Sequence, residues 1–173
     1  MKAIIATSLE NAIGTETGLP WHCPMDMKWF RHCTLNKTVL MGRVTMETLK
    51  GPLPDRENLV LSKTLPKGDY NGFTVINCPS ELPEETDDIV IIGGAAIYTL
   101  FRRDINTLIV SNIDISVPDA TVFMDTAFLT KGMVLASSVR SDTPAFEALR
   151  KAIGAKPVKR ADTKIYSINT YER

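Results

Sequence analysis

The sequence predicts an α/β protein: a mostly parallel central sheet with helices on both faces and an antiparallel hairpin at its C-terminal edge. Three observations carry this expectation. Six short runs rich in β-branched residues are apolar continuously rather than alternately, as strands covered on both faces must be. Helix-forming stretches fall between them, two of them entered through a glycine. The last third of the chain differs, with two longer strand-like stretches, the second of which shows period-two character.

In chain order, "KAIIATSL" (2–9) is the first central strand. A helix is expected over 24–34, because Pro24 has the fixed φ and missing N–H that suit a first helical position. "TVLMG" (38–42) is a strand whose Gly42 leads into a helix at 43–49. "NLVLS" (58–62) and "GFTVIN" (72–77) are strands, followed by a helix at 79–85 capped by Ser80. "DIVIIGG" (88–94) is a strand running into a helix at 94–102, and "TLIVSNIDI" (107–115) closes the set of six. "GMVLASSVRS" (132–141) and "TKIYSINTYER" (163–173) then form the antiparallel edge, with a short amphipathic helix and a basic loop over 143–160. No repeat, low-complexity tract or Gly/Ser linker divides the 173 residues, so one domain is expected. A chain of this size buries roughly two thirds of its unfolded surface and needs no staples.

Composition narrows the function. Lys plus Arg and Asp plus Glu balance at 20 each, which argues against a sequence-independent nucleic-acid or membrane-surface binder. No window approaches the roughly 20 apolar residues of a membrane span, and Glu10 and Asn11 interrupt the N-terminal run before it could serve as a signal peptide. Cys23, Cys33 and Cys78 form no CxxC pair, which fits reduced thiols in the cytoplasm. His22-Cys23 and His32-Cys33 offer four zinc ligands, but Pro24 and the intervening helix leave no ligand knuckle. Two packed thiols, two surface imidazoles and no metal are expected.

Two strand–glycine–helix junctions point to phosphate. In "VLMGRVT", Gly42 permits close backbone approach, and Arg43 and Thr45 fall in the first helical turn. In "VIIGGAAIY", Gly93 and Gly94 are followed by the small Ala95 and Ala96. Such turns most often only connect elements, and neither is a Walker loop or a GxGxxG fingerprint. Two of them in one small α/β chain suggest a diphosphate held between two helix ends. Ser62, Lys63 and Arg43 would make a cationic corner fit for an extra phosphate, as on NADPH rather than NADH; taken alone, Lys63 reads as an exposed loop lysine.

Asp26, in "GLPWHCPMDMKWF", sits among Pro24, Met25, Met27, Trp29 and Phe30. It is either a surface acid complementing the helix dipole or a ligand-recognising acid at a cleft. Asp26, Phe30 and Cys33 share one helical stripe, with Met27 beside it. A carboxylate there could accept two hydrogen bonds from an N–C–NH2 edge such as that of a pterin. Desolvation would raise its pKa by about one to three units. No second acid lies nearby in sequence to form a dyad.

With these residues in view, the chain resembles the dihydrofolate reductase family. Pro-Trp followed by an acid on the next helix, MGR-x-T, PLP-x-R and IGG stand in family order with consistent spacing over residues 1 to about 125, and the likeness resumes at "KIYSINTYER". The resemblance implies a dihydrofolate reductase-like fold and reduction of 7,8-dihydrofolate by NADPH, with hydride passing to pterin C6 and N5 protonated. It makes Asp26 the pterin-anchoring carboxylate, Trp21 the residue that positions a proton-carrying water, and Leu19 part of a mobile loop over 10–20 with Gly14 and Gly18 as hinges. Ile4, Ile5, Ala6, Met27, Phe30 and Ile92 would line the pterin pocket, with Ser111 near Asp26. Leu49 and Leu53 would hold the aminobenzoyl ring, and Arg56 the glutamate α-carboxylate.

By the same resemblance, Ala6, Ile13, Gly14 and Tyr98 would meet the nicotinamide end of the cofactor. Gly42, Arg43, Val44, Thr45, Leu61, Ser62 and Lys63 would hold the adenosine phosphates. Gly93, Gly94, Ala95, Ala96 and Ile97 would hold the diphosphate, with the Gly93–Gly94 bond cis. Dihydrofolate and antifolate-type small molecules would be the partners of a monomer. Several positions depart from the family pattern: Ser111 where Thr is usual, Met46 for a common Trp, Val44 for a frequent polar residue, and Ala120 where an acid often helps hold the loop. Residues 141–160 make a longer excursion than compact bacterial members carry, with no function assigned. Two rival readings remain: a riboflavin-pathway pyrimidine reductase of the same fold, and a non-catalytic folate- or nucleotide-binding protein. The Pro-Trp loop, Asp26 and PLP-x-Arg56 argue against the first; Asp26, Trp21 and both glycine turns argue against the second.

Overall fold

The structure, a computed structural model, describes residues 1–15, 18–157 and 165–173. In chain order its elements are β1 (Lys2–Thr7), β2 (Ala12–Gly14), α1 (Pro24–Thr34), β3 (Thr38–Gly42), α2 (Arg43–Thr48), β4 (Glu57–Leu61), β5 (Gly68–Tyr70), β6 (Phe73–Ile76), β7 (Ile89–Gly93), α3 (Ala95–Leu100), β8 (Thr107–Ile113), β9 (Val122–Phe123), α4 (Thr126–Thr130), β10 (Val134–Arg140), α5 (Pro144–Ala152) and β11 (Ile165–Glu172). The fold is mixed α/β with a mostly parallel central sheet.

The chain forms two compact units, one of Met1–Ala3 with Thr34–Asn106, the other of Ile4–Cys33 with Thr107–Arg173. In the first, the strand order is β1-β7-β3-β4-β6-β5. Every pair there is parallel except the terminal β5–β6 pair. The continuous apolar runs have the expected consequence: Val39, Leu40 and Met41 of β3 are all fully buried, so neither face of that strand meets water. Val39, Met41, Val60, Phe73 and Val75 pack with Met46 of α2 into one core. In the second unit the order is β10-β11-β8-β1, with β10–β11 and β11–β8 antiparallel. Its core gathers Cys23, Met25, Ile113, Phe146, Ala155, Ile165 and Ile168. A separate two-stranded sheet pairs β2 with β9.

Some expectations need correction. Residues 79–85 do not form a helix; only a 3₁₀ turn, Pro79–Glu81, forms. Pro83 clashes with a helical residue before it, and Leu82 is accordingly extended at φ −63°, ψ 151°. The helix expected at 94–102 is shorter, with Gly94 outside it as N-cap. Of the excursion at 143–160, the helix is α5; residues 158–160 of its basic loop, and 163–164 at the start of the last strand, lie outside the described residues. The short elements β2, β5, β9 and α4 were not anticipated.

Candidate active site

Pro24 opens α1 and places Asp26 in its first turn. Met25 and Asp26 both turn inward, at 2% and 7% exposure, while Met27 is 54% exposed. Asp26 is therefore not a surface acid. Burial pushes its carboxyl up to about 6, and the Ser111 hydroxyl pulls in the opposite direction. Ser111, on β8, is fully buried, and its Oγ makes no hydrogen bond of good geometry with the described residues, so it offsets only part of the desolvation. The Trp21 indole N–H is likewise buried without a hydrogen-bond partner among the described residues. A buried donor and a buried acid with a raised pKa together suit recognition of a polar ligand.

The other residues assigned to this half vary in exposure. Ile4 and Ile5 of β1 are buried, Ala6 and Phe30 half-buried, and Leu19 exposed. Ile13 and Gly14 lie on β2, whose partner β9 anchors the start of the 10–20 loop. Thr15 and Gly18 exchange backbone hydrogen bonds of 2.8 and 3.3 Å. Gly18 has φ +120°, a conformation that L side chains rarely adopt. Residues 16–17 of that loop lie outside the described residues.

The two glycine turns, far apart in sequence, meet within the first unit. A Cβ built on Gly42 would lie 3.1 Å from Ile97 Cγ1. One on Gly93, at φ +144°, would lie 3.0 Å from Thr45 Oγ1, and one on Gly94 3.2 Å from the same atom. The Gly93–Gly94 bond is cis, as the resemblance implies. Gly42 and Gly94 are the N-caps of α2 and α3, and neither helix start takes a hydrogen bond from a capping side chain. The result is a side-chain-free backbone cradle bounded by Thr45 and Ile97. Ala95 is half-buried, Ala96 exposed, and Ile97 and Tyr98 buried.

The cationic corner is less cationic than expected. Arg43 pairs with Glu47 one turn on at 2.5 Å. The buried Ser62 hydroxyl accepts from the Thr64 and Leu65 N–H groups, both at 3.2 Å, and so shapes its own turn after Leu61. Lys63 and Val44 are exposed.

Leu49, Leu53 and Ile92 are half-buried against the core of the first unit. Arg56 donates from Nη1 to Thr34 Oγ1 and from Nε to the Pro54 carbonyl, both at 3.0 Å. It borders an open cleft of about 390 Å³ also lined by Asn36, Lys37, Thr38, Asp55, Glu57 and Asp88. Sequence reasoning passed over Asn58, whose buried carboxamide bonds three backbone groups of this loop. It also passed over the β2–β9 pairing. A single Asn in an apolar run gives no sign of either partner. Among the described residues no group of three or more His, Cys, Asp or Glu gathers as for a metal, none of the three cysteines is in a disulfide, and no helix is long and apolar enough to cross a membrane.

Comparison with known proteins agrees with this geometry. The sequence model of the dihydrofolate reductase family matches residues 1–140. The chain is 34% identical over 123 residues to the dihydrofolate reductase of Haemophilus influenzae, covering 69% of this chain and 76% of that one. It is 36% identical over 121 residues to that of Buchnera aphidicola, covering 66% and 72%. A solved structure of dihydrofolate reductase from Enterococcus faecalis, complexed with NADP(H) and RAB-propyl, shares the fold at a TM-score of 0.78 and 24% identity, over 99% of this chain and 95% of that one. A buried helix acid, a paired-glycine cradle and a family match over most of the length lead to one conclusion: the chain belongs to the dihydrofolate reductase family.

Proposed function

We propose that this chain catalyses the NADPH-dependent reduction of 7,8-dihydrofolate to 5,6,7,8-tetrahydrofolate. The observation that carries the reading is Asp26, an acid kept buried on α1 beside the buried hydroxyl of Ser111. Its carboxylate accepts two hydrogen bonds from the N3–H and 2-amino edge of the pterin, a bidentate geometry suited to an amidine-like group. Its negative charge favours the substrate protonated at N5, the form that accepts hydride. The Trp21 indole N–H, which has no protein partner among the described residues, is read as the donor that orients the water delivering that proton. Leu19 and the loop hinged at Gly14 and Gly18 exclude solvent. Antifolate-type molecules with the same amidine edge would take the same acid.

The residues fit NADPH in kind: a Cβ on Gly93 or Gly94 would crowd the Thr45 hydroxyl, so only glycine lets these backbones come this close to a hydroxyl at the start of α2, a setting suited to phosphate. Bound there, the cofactor supplies the hydride that reaches pterin C6. Thr45, Gly93, Gly94, Ala95 and Ala96 hold the diphosphate by backbone and hydroxyl groups, and Ser62 and Lys63 flank the adenosine phosphate. Leu49 and Leu53 hold the aminobenzoyl ring, and Arg56 pairs with the glutamate α-carboxylate. The protein is read as a cytoplasmic monomer, in keeping with three cysteines of which none is in a disulfide.

Absorbance decay at the NADPH band with dihydrofolate, across pH 5 to 9, tests the assignment. Wild type turns over; Asp26→Asn loses about a hundredfold or more near pH 7 and regains part of that loss at low pH, where solvent supplies the protonated substrate. Equal activity of the two proteins would remove Asp26 from the mechanism. Tight NADPH binding without wild-type turnover would point to a binding protein.

A further inference from the structure

Residues 49–56 lead from α2 to β4, held at their ends by the Leu49 N–H donating to the Met46 carbonyl at 3.0 Å and by the Asp55 carbonyl accepting from the Asn36 N–H at 2.9 Å. Pro52 and Pro54 have no N–H to donate. Asp55 sits at φ +60°, in the left-handed region that a non-glycine residue adopts only when held there. The loop nevertheless carries Leu53 and Arg56. The backbone on either side of Pro54 is fixed by Asn58, 7% exposed, one residue into β4. Asn58 Oδ1 accepts from the Leu53 N–H at 2.9 Å, while Nδ2 donates to the Leu53 and Arg56 carbonyls, both at 3.0 Å. The Leu53 N–H can only donate, so the amide orientation is fixed by its partners. One buried carboxamide thus uses its acceptor and both amide protons on the backbone of two residues.

We infer that Asn58 is a positioning residue for the substrate's glutamate end, acting through the Leu53 and Arg56 backbone it holds. This rests on the reading above, in which Leu53 meets the aminobenzoyl ring and Arg56 the α-carboxylate. The Arg56 contacts tie its guanidinium to the Thr34 hydroxyl at the end of α1 and to the Pro54 carbonyl of its own loop. The main chain that carries the guanidinium is held by the three Asn58 bonds, beside the Asp55 carbonyl that accepts from the Asn36 N–H at 2.9 Å. Three hydrogen bonds made by a group with no role in the chemistry would preorganise binding of a carboxylate several bonds from the reacting carbon.

The test compares dihydrofolate with 7,8-dihydropteroate, which has the same pterin and ring but no glutamate. Arg56→Ala should abolish most of the preference for dihydrofolate. Asn58→Ala should reduce the same preference by about tenfold, with the loss in KM for dihydrofolate rather than in kcat and the KM for NADPH unchanged. The double variant should lose little beyond Arg56→Ala, because both act on one interaction. Asn58→Ser, which cannot reach Leu53 and Arg56 together, should behave the same way and serves if the alanine variant folds poorly. Equal losses on both substrates, or losses that add to those of Arg56→Ala, would reduce Asn58 to a structural residue and overturn the inference. An absence of wild-type turnover would instead overturn the activity itself, and an unaltered preference in Arg56→Ala would overturn the Arg56 assignment.

Discussion

Asp26 is held in the fold against its own charge. Its carboxyl titrates near 3.8 when solvated and about 6 in the folded chain, with burial as the main cause. Between those values the folded state binds more protons than the unfolded state, so stability falls as pH rises, and the full penalty is present above pH 6. A shift of this size corresponds to about 3 kcal/mol. Asp26→Asn should therefore stabilise the ligand-free protein at pH 7 by about 2–3 kcal/mol while removing activity, and should change little below pH 4. Urea unfolding at the two pH values measures this. A variant no more stable than wild type at pH 7 would mean the acid is better solvated than its burial indicates. The sequence left Asp26 between a surface and a ligand role because helical spacing names a stripe, not what covers it. The cover comes in part from Ser111, on a strand 85 positions further along the chain.

At the scale of elements, legibility followed length and local chemistry. The strands β1, β3, β4, β6, β7 and β8 were legible because continuous apolar runs have few alternatives in a folded chain. β2, β5 and β9 have two or three residues each, too short for any period to show. α5 is the instructive case, since it lies beyond the family match, which ends at residue 140. Its start is well specified: Pro144 takes the first turn and the Thr143 hydroxyl accepts from the Phe146 N–H at 3.3 Å. Glu147 pairs with Arg150, whose Nη1 donates to the Ala155 carbonyl at 2.5 Å. Phe146, 6% exposed, joins the core that also contains Cys23 and Met25. Packing should dominate capping. Phe146→Ala should cost about 3–5 kcal/mol, and Thr143→Ala about 1 kcal/mol, both read from urea midpoints at constant slope. Equal small losses would make α5 a surface appendage with no share in the core.

On the scale of the whole molecule, the two units share one strand. Within β1, Lys2 and Ala3 pair with Val90 and Ile91 in the first unit, while Ile4 to Thr7 belong to the second. Ala3, Ile4 and Ile5 are all buried, so the stretch of β1 where one unit passes into the other has no exposed residue. Thermal unfolding should accordingly be a single transition with matching calorimetric and van't Hoff enthalpies. NADPH should move that whole transition, although the glycine cradle proposed for its diphosphate lies in the first unit. At a hundredfold excess over Kd the linkage is about 2.7 kcal/mol, or roughly 5–10 °C for a chain of this size. Gly94→Ala tests the route. Gly94 has φ −96°, open to any residue, so the change adds only a methyl 3.2 Å from Thr45 Oγ1, in the space read as phosphate-binding. The variant should keep the single transition and lose most of the shift. Two transitions of which NADPH moves one would mean that the units fold independently. An undiminished shift in Gly94→Ala would mean that the diphosphate is held elsewhere than between the two glycine turns.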